Sequence, residues 1–360
     1  MLPKHQNQNM PMIRKPVNVI VHFFHRYWRS FFALSGFAAL FLLVRIFSFS
    51  VDAGNKSGKD YFNSHYKIFS LRIPKDLNFS GEQVPVKDFT VAESIDRELL
   101  INTYWHSQTL LMFKRANRWF PIIESILKKN GVPEDFKYIA LVESGLTNIV
   151  SPAGATGYWQ LLESTATNYG LEVDDDIDER YNIERSTEAA CNYFLEAYGK
   201  LHNWTLVAAS YNIGIGGIQA QLEKQKAANY YDLFLNDETS RYVYRILAVK
   251  DILTRPQAYG FVLRKQDLYP PIPTIKLSID SSIKDLPAFA ISQNVTYKML
   301  KLMNPWMRKD LINNPNKKMY SVLLPGKGVD ITKWESYLES DTNQYLVNIE
   351  TSIDTVAKQP

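Results

Sequence analysis

The chain has 360 residues, 46% of them hydrophobic, and a formal charge of +4. That length exceeds one typical domain and supplies core for one domain and a smaller second. The mild charge gives no case for nucleic acid, since no dense Lys/Arg stripe with interleaved aromatics occurs outside the N-terminus. Cys191 is the only cysteine, so intrachain disulfides are excluded.

Arg14, Lys15, Arg26 and Arg29 precede an apolar run from Phe31 to Val44, which continues past Arg45 through Ile46 to Val51. Basic flanks stay on the cytoplasmic side, so 1–29 is read as a cytoplasmic basic segment and the remainder as exported. The run to Val44 is short for a span. With Arg45 snorkelling, 30–51 reaches the roughly 20 residues that a spanning helix needs. A cleaved signal segment is the alternative, and the long basic region favours an uncleaved anchor. Residues 52–72 read as a linker, rich in Gly, Ser and Lys from Asp52 to Asp60.

From Thr90 to Asn130 the pattern is helical. Thr90 and Glu93 form a possible capping box, and Pro121 with Gly131 brackets Ile122 to Asn130 as a separate helix. Pro133 suits a first helical position, Glu134 and Asp135 suit a helix N-terminus, and Phe136, Ile139 and Ala140 then recur at helical spacing. Continuing that face lands on Glu143. A carboxylate at the buried end of an apolar stripe is costly to ionise, so its pKa should rise toward a general acid's range; a helix-terminal glutamate paired with Lys or Arg is the plain alternative.

Ser151-Pro152-Ala153-Gly154-Ala155-Thr156-Gly157-Tyr158-Trp159-Gln160 places two glycines just before an aromatic pair and an amide, which suits backbone close to a ligand or an ordinary turn. Asp174, Asp175, Asp176, Asp178 and Glu179 begin like a calcium loop. The sixth position is Glu179 where glycine is required and the twelfth is Arg185 where glutamate belongs, so no metal is expected. Cys191 lies in a helix predicted from Thr187 to Leu201, among Ala190, Phe194 and Tyr198, as a small core residue. Thr205 is a plausible N-cap for Leu206 to Tyr211, with Gly214, Gly216 and Gly217 ending that helix and Tyr211 and Asn212 in its last turn.

After Pro270-Pro271-Ile272-Pro273 the composition shifts, marking a domain boundary. Ile275 to Ile279 alternates as a strand, Ile283 to Gln293 and Tyr297 to Met303 read as short helices, and Tyr320 to Leu324 closes as a strand. No internal repeat is evident. The tail from 329, with Trp334, Tyr337, Leu338, Tyr345 and Leu346, is left open between helix and strand.

The blocks Glu143-Ser144, Ser151 to Gln160, Asp178-Glu179-Arg180 and Ser210-Tyr211-Asn212 together resemble the soluble-lytic-transglycosylase type of lysozyme-like domain, in its membrane-bound murein transglycosylase D branch. The resemblance runs from about Ile73 to Phe261. It takes in Ile73-Pro74 to Glu82-Gln83-Val84-Pro85, Asp135-Phe136-Lys137-Tyr138 and Glu238-Thr239-Ser240-Arg241-Tyr242. It implies a mainly α, lysozyme-like catalytic domain over 73–266. The βααβ segment over 267–328 resembles a LysM module, a small α+β binder of glycans. Its usual Gly-Asp-Thr is replaced by Asp280-Ser281-Ser282, which leaves a packing role open beside glycan binding.

By the resemblance, Glu143 is the single catalytic acid/base and Ser144 completes its pair. Ser151 and Gln160 line a saccharide cleft, Tyr211 orients the glutamate and Asn212 contacts substrate; Trp159, from its own chemistry rather than from the resemblance, is expected to stack on a sugar face. Tyr158-Trp159 replaces the commoner Leu-Met before the glutamine, and Ser210 replaces the usual Ala. Most glycosidases use two carboxylates. With one, the implied reaction is non-hydrolytic cleavage of the bond between N-acetylmuramic acid and N-acetylglucosamine in peptidoglycan, leaving 1,6-anhydro ends. The alternatives are a hydrolytic muramidase or a non-catalytic wall-binding scaffold. The resemblance implies no cofactor and glycan strands as the partner, while the N-terminal segment points to a bacterial membrane and to a periplasmic catalytic domain held at the inner membrane, or released there after signal cleavage. No cysteine follows the apolar run, so the branch's common lipid anchor is not expected.

Overall fold

The computed structural model describes residues 28, 32, 35–45 and 68–326, in two units, 1–69 and 70–360. In the first unit Trp28, Phe32 and 35–45 are helical, and Trp28 meets Phe32 edge-on at 4.8 Å between ring centroids. Phe37, Leu40, Phe41 and Leu43 are exposed. Among the described residues no helix is long and apolar enough to cross a membrane. The basic segment apart from Trp28, the remainder of the expected span 30–51, most of the linker 52–72 and the tail 329–360 lie outside the described residues.

The second unit opens on a short antiparallel pair, β1 (Asn78–Phe79) and β2 (Glu82–Gln83). Helix α1 (Phe89–Tyr104) follows. Its cap is Asp88, whose carboxylate accepts from the Thr90 and Val91 N–H groups, two residues before the expected cap Thr90. The break expected at Pro121 is absent: α2 (His106–Lys129) runs straight through it. Met112, Phe113, Ala116, Ile123 and Leu127 are buried at helical spacing on both sides of the proline, so one packed face holds the helix across the missing N–H. The chain turns instead at Trp105, at φ −82° and ψ 57°.

A 3₁₀ turn, Glu134–Phe136, leads into α3 (Lys137–Ser144), which ends on Gly145 in the left-handed region at φ 59°. Phe136, Ile139, Ala140 and Leu141 are fully buried, so the apolar stripe expected to deliver Glu143 is the centre of the main core. Around it lie α4 (Glu163–Asn168), α5 (Ile183–Leu201), α6 (Trp204–Ile213), α7 (Ile215–Gln225) and α8 (Asp237–Thr254). Cys191 is a fully buried core residue on α5, and burial pushes its thiol up to about 12. Asn203 rather than Thr205 caps α6, because the Thr205 hydroxyl is donated to Glu82 at 2.7 Å. Gly214 ends α6, but Gly216 and Gly217 belong to α7.

The last part is the expected βααβ unit. β3 (Thr274–Ile279) pairs antiparallel with β4 (Tyr320–Pro325), and α9 (Leu286–Ser292) and α10 (Tyr297–Met303) lie between them. α9 starts later than Ile283, which instead exchanges backbone hydrogen bonds with Ile312. Fully buried Asn304 donates to the Leu323 carbonyl and accepts from its N–H, tying α10 to β4.

This small unit does not complete its core alone. Leu286, Ala290, Leu300, Trp306, Met307, Val322 and Leu324 cluster with Ile177 and Tyr181, which come from the loop before α5. Asp178 N–H donates to the Trp306 carbonyl at 2.9 Å and Arg308 N–H to the Asp176 carbonyl at 2.8 Å. Lys276 pairs with Glu184 and Lys318 with Glu172, both at 2.6 Å. Upstream, Asn117 and Arg118 on α2 donate to the Tyr269 and Pro270 carbonyls, strapping the connecting segment down.

Ending the chain before Asp267 therefore uncovers Ile177 and Tyr181. Loss of large buried side chains at this scale costs several kcal/mol. The expected outcome is a lower melting temperature and a similar fractional loss of any glycan cleavage on soluble strands and on intact sacculi. Full retention on soluble strands would mean that the small unit acts only by raising local concentration.

Candidate active site

Glu143 sits in the last turn of α3, partly exposed, with its shape fixed from both sides. On the far side of the core, α8 presents Tyr242, whose hydroxyl donates to Glu143 Oε1 at 2.5 Å. Burial is the largest influence on this carboxyl and raises its pKa to about 7. The Tyr242 hydrogen bond and the Arg245 charge oppose that rise, and the Glu238 carboxylate adds to it. The Tyr242 phenol is held well above its ordinary value, by burial first and by the Glu143 charge second, so it stays a donor throughout the neutral range.

The tyrosine expected to orient the glutamate is a different one. Tyr211 donates its hydroxyl to the Trp159 carbonyl at 2.7 Å, so it braces the turn; burial and then the Glu143 charge raise its pKa, but the partner on the carboxyl is Tyr242. Tyr242 lies in the quoted block Glu238 to Tyr242, yet it stands 99 positions from Glu143 and no local spacing links the two.

Trp159 cannot stack on a sugar as placed. It is fully buried, its indole N–H donates to Thr187 Oγ1 at 2.8 Å, and its ring packs edge-on against Phe194. A Trp directly after Gly157 and Tyr158 points inward because the turn folds over the core. Ser144 is likewise structural: its buried hydroxyl donates to the Ala140 and Tyr158 carbonyls, joining the end of α3 to the turn. Ser151 Oγ accepts from Ala155 N–H at 3.0 Å and shapes the turn's tip, while remaining partly exposed. Gln160 is partly exposed at φ 50°, with its amide nitrogen donating to the Ile149 and Gly157 carbonyls. Asn212 is partly exposed at the end of α6. Its Oδ1 accepts from Thr239 at 2.7 Å and its amide nitrogen reaches Glu238 at 3.5 Å.

The close backbone approach expected around the glycines is real, but it is made to protein. A Cβ on Gly157, at φ 80°, would lie 2.0 Å from the Arg180 carbonyl oxygen. The Arg180 guanidinium donates to the Gly154 and Leu161 carbonyls, each at 3.3 Å, and pairs with Asp178 at 2.8 Å. The other acids of that run are also engaged. Asp176 pairs with Lys309 at 2.8 Å, Glu179 pairs with Arg185 at 3.2 Å, and Asp174 accepts from the Asp176 and Ile177 N–H groups.

Residues 120–234 match the Transglycosylase SLT domain family, and residues 275–328 match the Soluble lytic transglycosylase C-terminal LysM-like domain. The first match covers about a third of the chain. Glu143, the turn and the Tyr211-Asn212 pair fall inside the matched stretch, and Tyr242 lies beyond it. Two curated relatives, each a membrane-bound lytic murein transglycosylase D, come from Escherichia coli K12 and a second Escherichia coli strain. Both are 30% identical over 224 residues, covering 59% of this chain and 48% of theirs, so the chain spans about half the length of the curated relatives it matches. Among solved structures, the 70 kDa soluble lytic transglycosylase of Escherichia coli aligns at 22% identity over 38% of this chain and 24% of its own, with a TM-score of 0.33.

The raised pKa has a consequence for stability. A carboxyl with a folded pKa of about 7 and an unfolded value near 4.5 binds its proton more tightly when folded. Its contribution is fully present below the unfolded value and declines as pH rises toward 7. Glu143→Gln removes that titration, so its melting temperature relative to wild type should climb between pH 4 and pH 8. A constant difference across that range would mean that Glu143 is solvated normally.

Proposed function

We propose that the protein is a murein lytic transglycosylase, cleaving the β-1,4 bond between N-acetylmuramic acid and N-acetylglucosamine without water, with Glu143 as the only acid and base. The observation that carries this reading is the Glu143 carboxyl itself, whose pKa burial raises to about 7 and which the Tyr242 hydroxyl holds at 2.5 Å. The similarity to enzymes whose names state this activity supports it.

Glu143 gives its proton to the glycosidic oxygen as the C1–O bond breaks, and the N-acetylglucosamine side departs as an alcohol. The positive charge left at C1 is shared with the ring oxygen or captured by the substrate's own acetamido oxygen. The ionised carboxylate then takes the proton of the muramoyl 6-hydroxyl, O6 bonds to C1, and Glu143 is protonated again. One carboxyl therefore serves both steps, and Tyr242 supports its charged form between them. Ser151, Gln160 and Asn212, partly exposed around it, are the residues assigned to substrate; Trp159, Ser144 and Tyr211 hold the turn in place.

In this reading residues 73–266 form the catalytic domain and 267–328 a LysM-like unit that braces it. The segment 30–51 anchors the chain in the inner membrane, with 1–29 cytoplasmic and the catalytic domain in the periplasm. The relatives are membrane-bound by name.

Glu143→Gln keeps the side chain's shape and loses its proton. Turnover of purified glycan strands should fall by far more than tenfold, the factor that about 1.4 kcal/mol of transition-state stabilisation represents. Wild-type activity should decline above about pH 7, because the first step needs the protonated acid. Mass analysis of wild-type products should find anhydro-muramoyl ends. Reducing ends would make the protein a hydrolase, and no cleavage would make it a scaffold.

A further inference from the structure

Glu98 on α1 is a carboxylate with only 1% of its surface exposed, and the chemistry above makes no use of it. Its Oε1 accepts from Arg241 Nε at 2.8 Å and lies 3.4 Å from Arg97 Nε. Its Oε2 lies 3.7 Å from Arg245 Nε and is buried without a hydrogen-bond partner among the described residues. Arg241 and Arg245 stand either side of Tyr242 along α8, the helix that also packs on α1. A single buried acid therefore faces two cations from the helix that carries the partner of Glu143.

The groups around Glu143 make that placement matter. From α8 come Tyr242, Arg245 and Glu238, and from α6 comes Tyr211. From α2, Arg115 is spent on the Gly145 carbonyl at 3.2 Å. Arg245 is the cation whose charge reaches Glu143. Glu98 in turn faces Arg97 on its own helix, Arg241 and Arg245 on α8, and the Tyr230 phenol. Arg241 has a second carboxylate in Asp237, but an Arg245 guanidinium released from Glu98 would have Glu143 within its field, and a buried ion pair would form where a neutral acid is needed.

We propose that Glu98 is a positioning residue for Glu143: it holds Arg245 toward α1, so that Arg245 does not pair with Glu143 and Tyr242 remains the carboxyl's hydrogen-bond partner. This rests on Glu143 being the acid, and it adds the electrostatic restraint that keeps it one.

The test follows the Glu143 carboxyl directly in the full chain. Glutamate labelled at its carboxyl carbon is titrated by carbon NMR, with the Glu143 signal assigned by its loss in Glu143→Gln. Glu98→Gln should lower the Glu143 midpoint by about one pH unit and cut turnover at neutral pH about fivefold through the smaller protonated fraction. Arg245→Gln should raise the midpoint. The double variant Glu98→Gln/Arg245→Gln should return it toward wild type, a rescue that a merely structural role for Glu98 would not produce. An unmoved midpoint in Arg245→Gln, or a double variant as low as Glu98→Gln, would overturn the proposal, and the Arg245 arm decides it even where Glu98→Gln fails to fold. The titration needs no turnover. Persistent cleavage by Glu143→Gln would therefore sink the catalytic reading, while the midpoints alone decide the Glu98 restraint, so the two failures are told apart.

Discussion

Everything in this protein that bears on chemistry depends on keeping water away from one carboxyl. Glu143 ends a short helix whose inner face, Phe136, Ile139, Ala140 and Leu141, is wholly buried, and its acidity follows from that burial. Removing a carboxylate from water disfavours its charge by more than the Tyr242 hydrogen bond and the Arg245 field restore, so its pKa rises to about 7. The helix stops one residue after Glu143, at Ser144. Gly145 in the left-handed conformation performs that stop.

The turn from Ser151 to Gln160 is held against this helix end from three directions. Ser144 bonds the Tyr158 carbonyl, Tyr211 bonds the Trp159 carbonyl, and Arg180 bonds the Gly154 and Leu161 carbonyls from behind. Arg180 belongs to the same loop that lends Ile177 and Tyr181 to the core of the βααβ unit. Packing in the C-terminal unit is thereby connected, through two buried side chains and one buried ion pair, to the backbone beside Glu143. That unit is part of the scaffold around Glu143 as much as an appendage to it.

Local periodicity made the helix to Glu143, the α5 position of Cys191 and the βααβ order legible, because each depends on side chains a few residues apart. Features set by distant partners were not. Pro121 reads as a helix boundary until the buried face on both sides of it is seen, and Thr205 reads as a cap until Glu82 is found to take its hydroxyl. Trp159 reads as a stacking surface from its place beside glycines. Its indole is instead the deepest part of the turn, fixed by Thr187 on α5. Tyr242 was visible as a letter in a block, but its role exists only because α8 packs across α3.

The central claim is that Glu143 is a neutral acid at the pH where it would act. Titrating its carboxyl in the unaltered chain, by carbon NMR with selectively labelled glutamate, tests this without substrate. A midpoint at about 7 is the result this account predicts. A midpoint near the ordinary value of 4.5 would mean that the helix, the turn and the tyrosines do not exclude water from it, and would contradict the account.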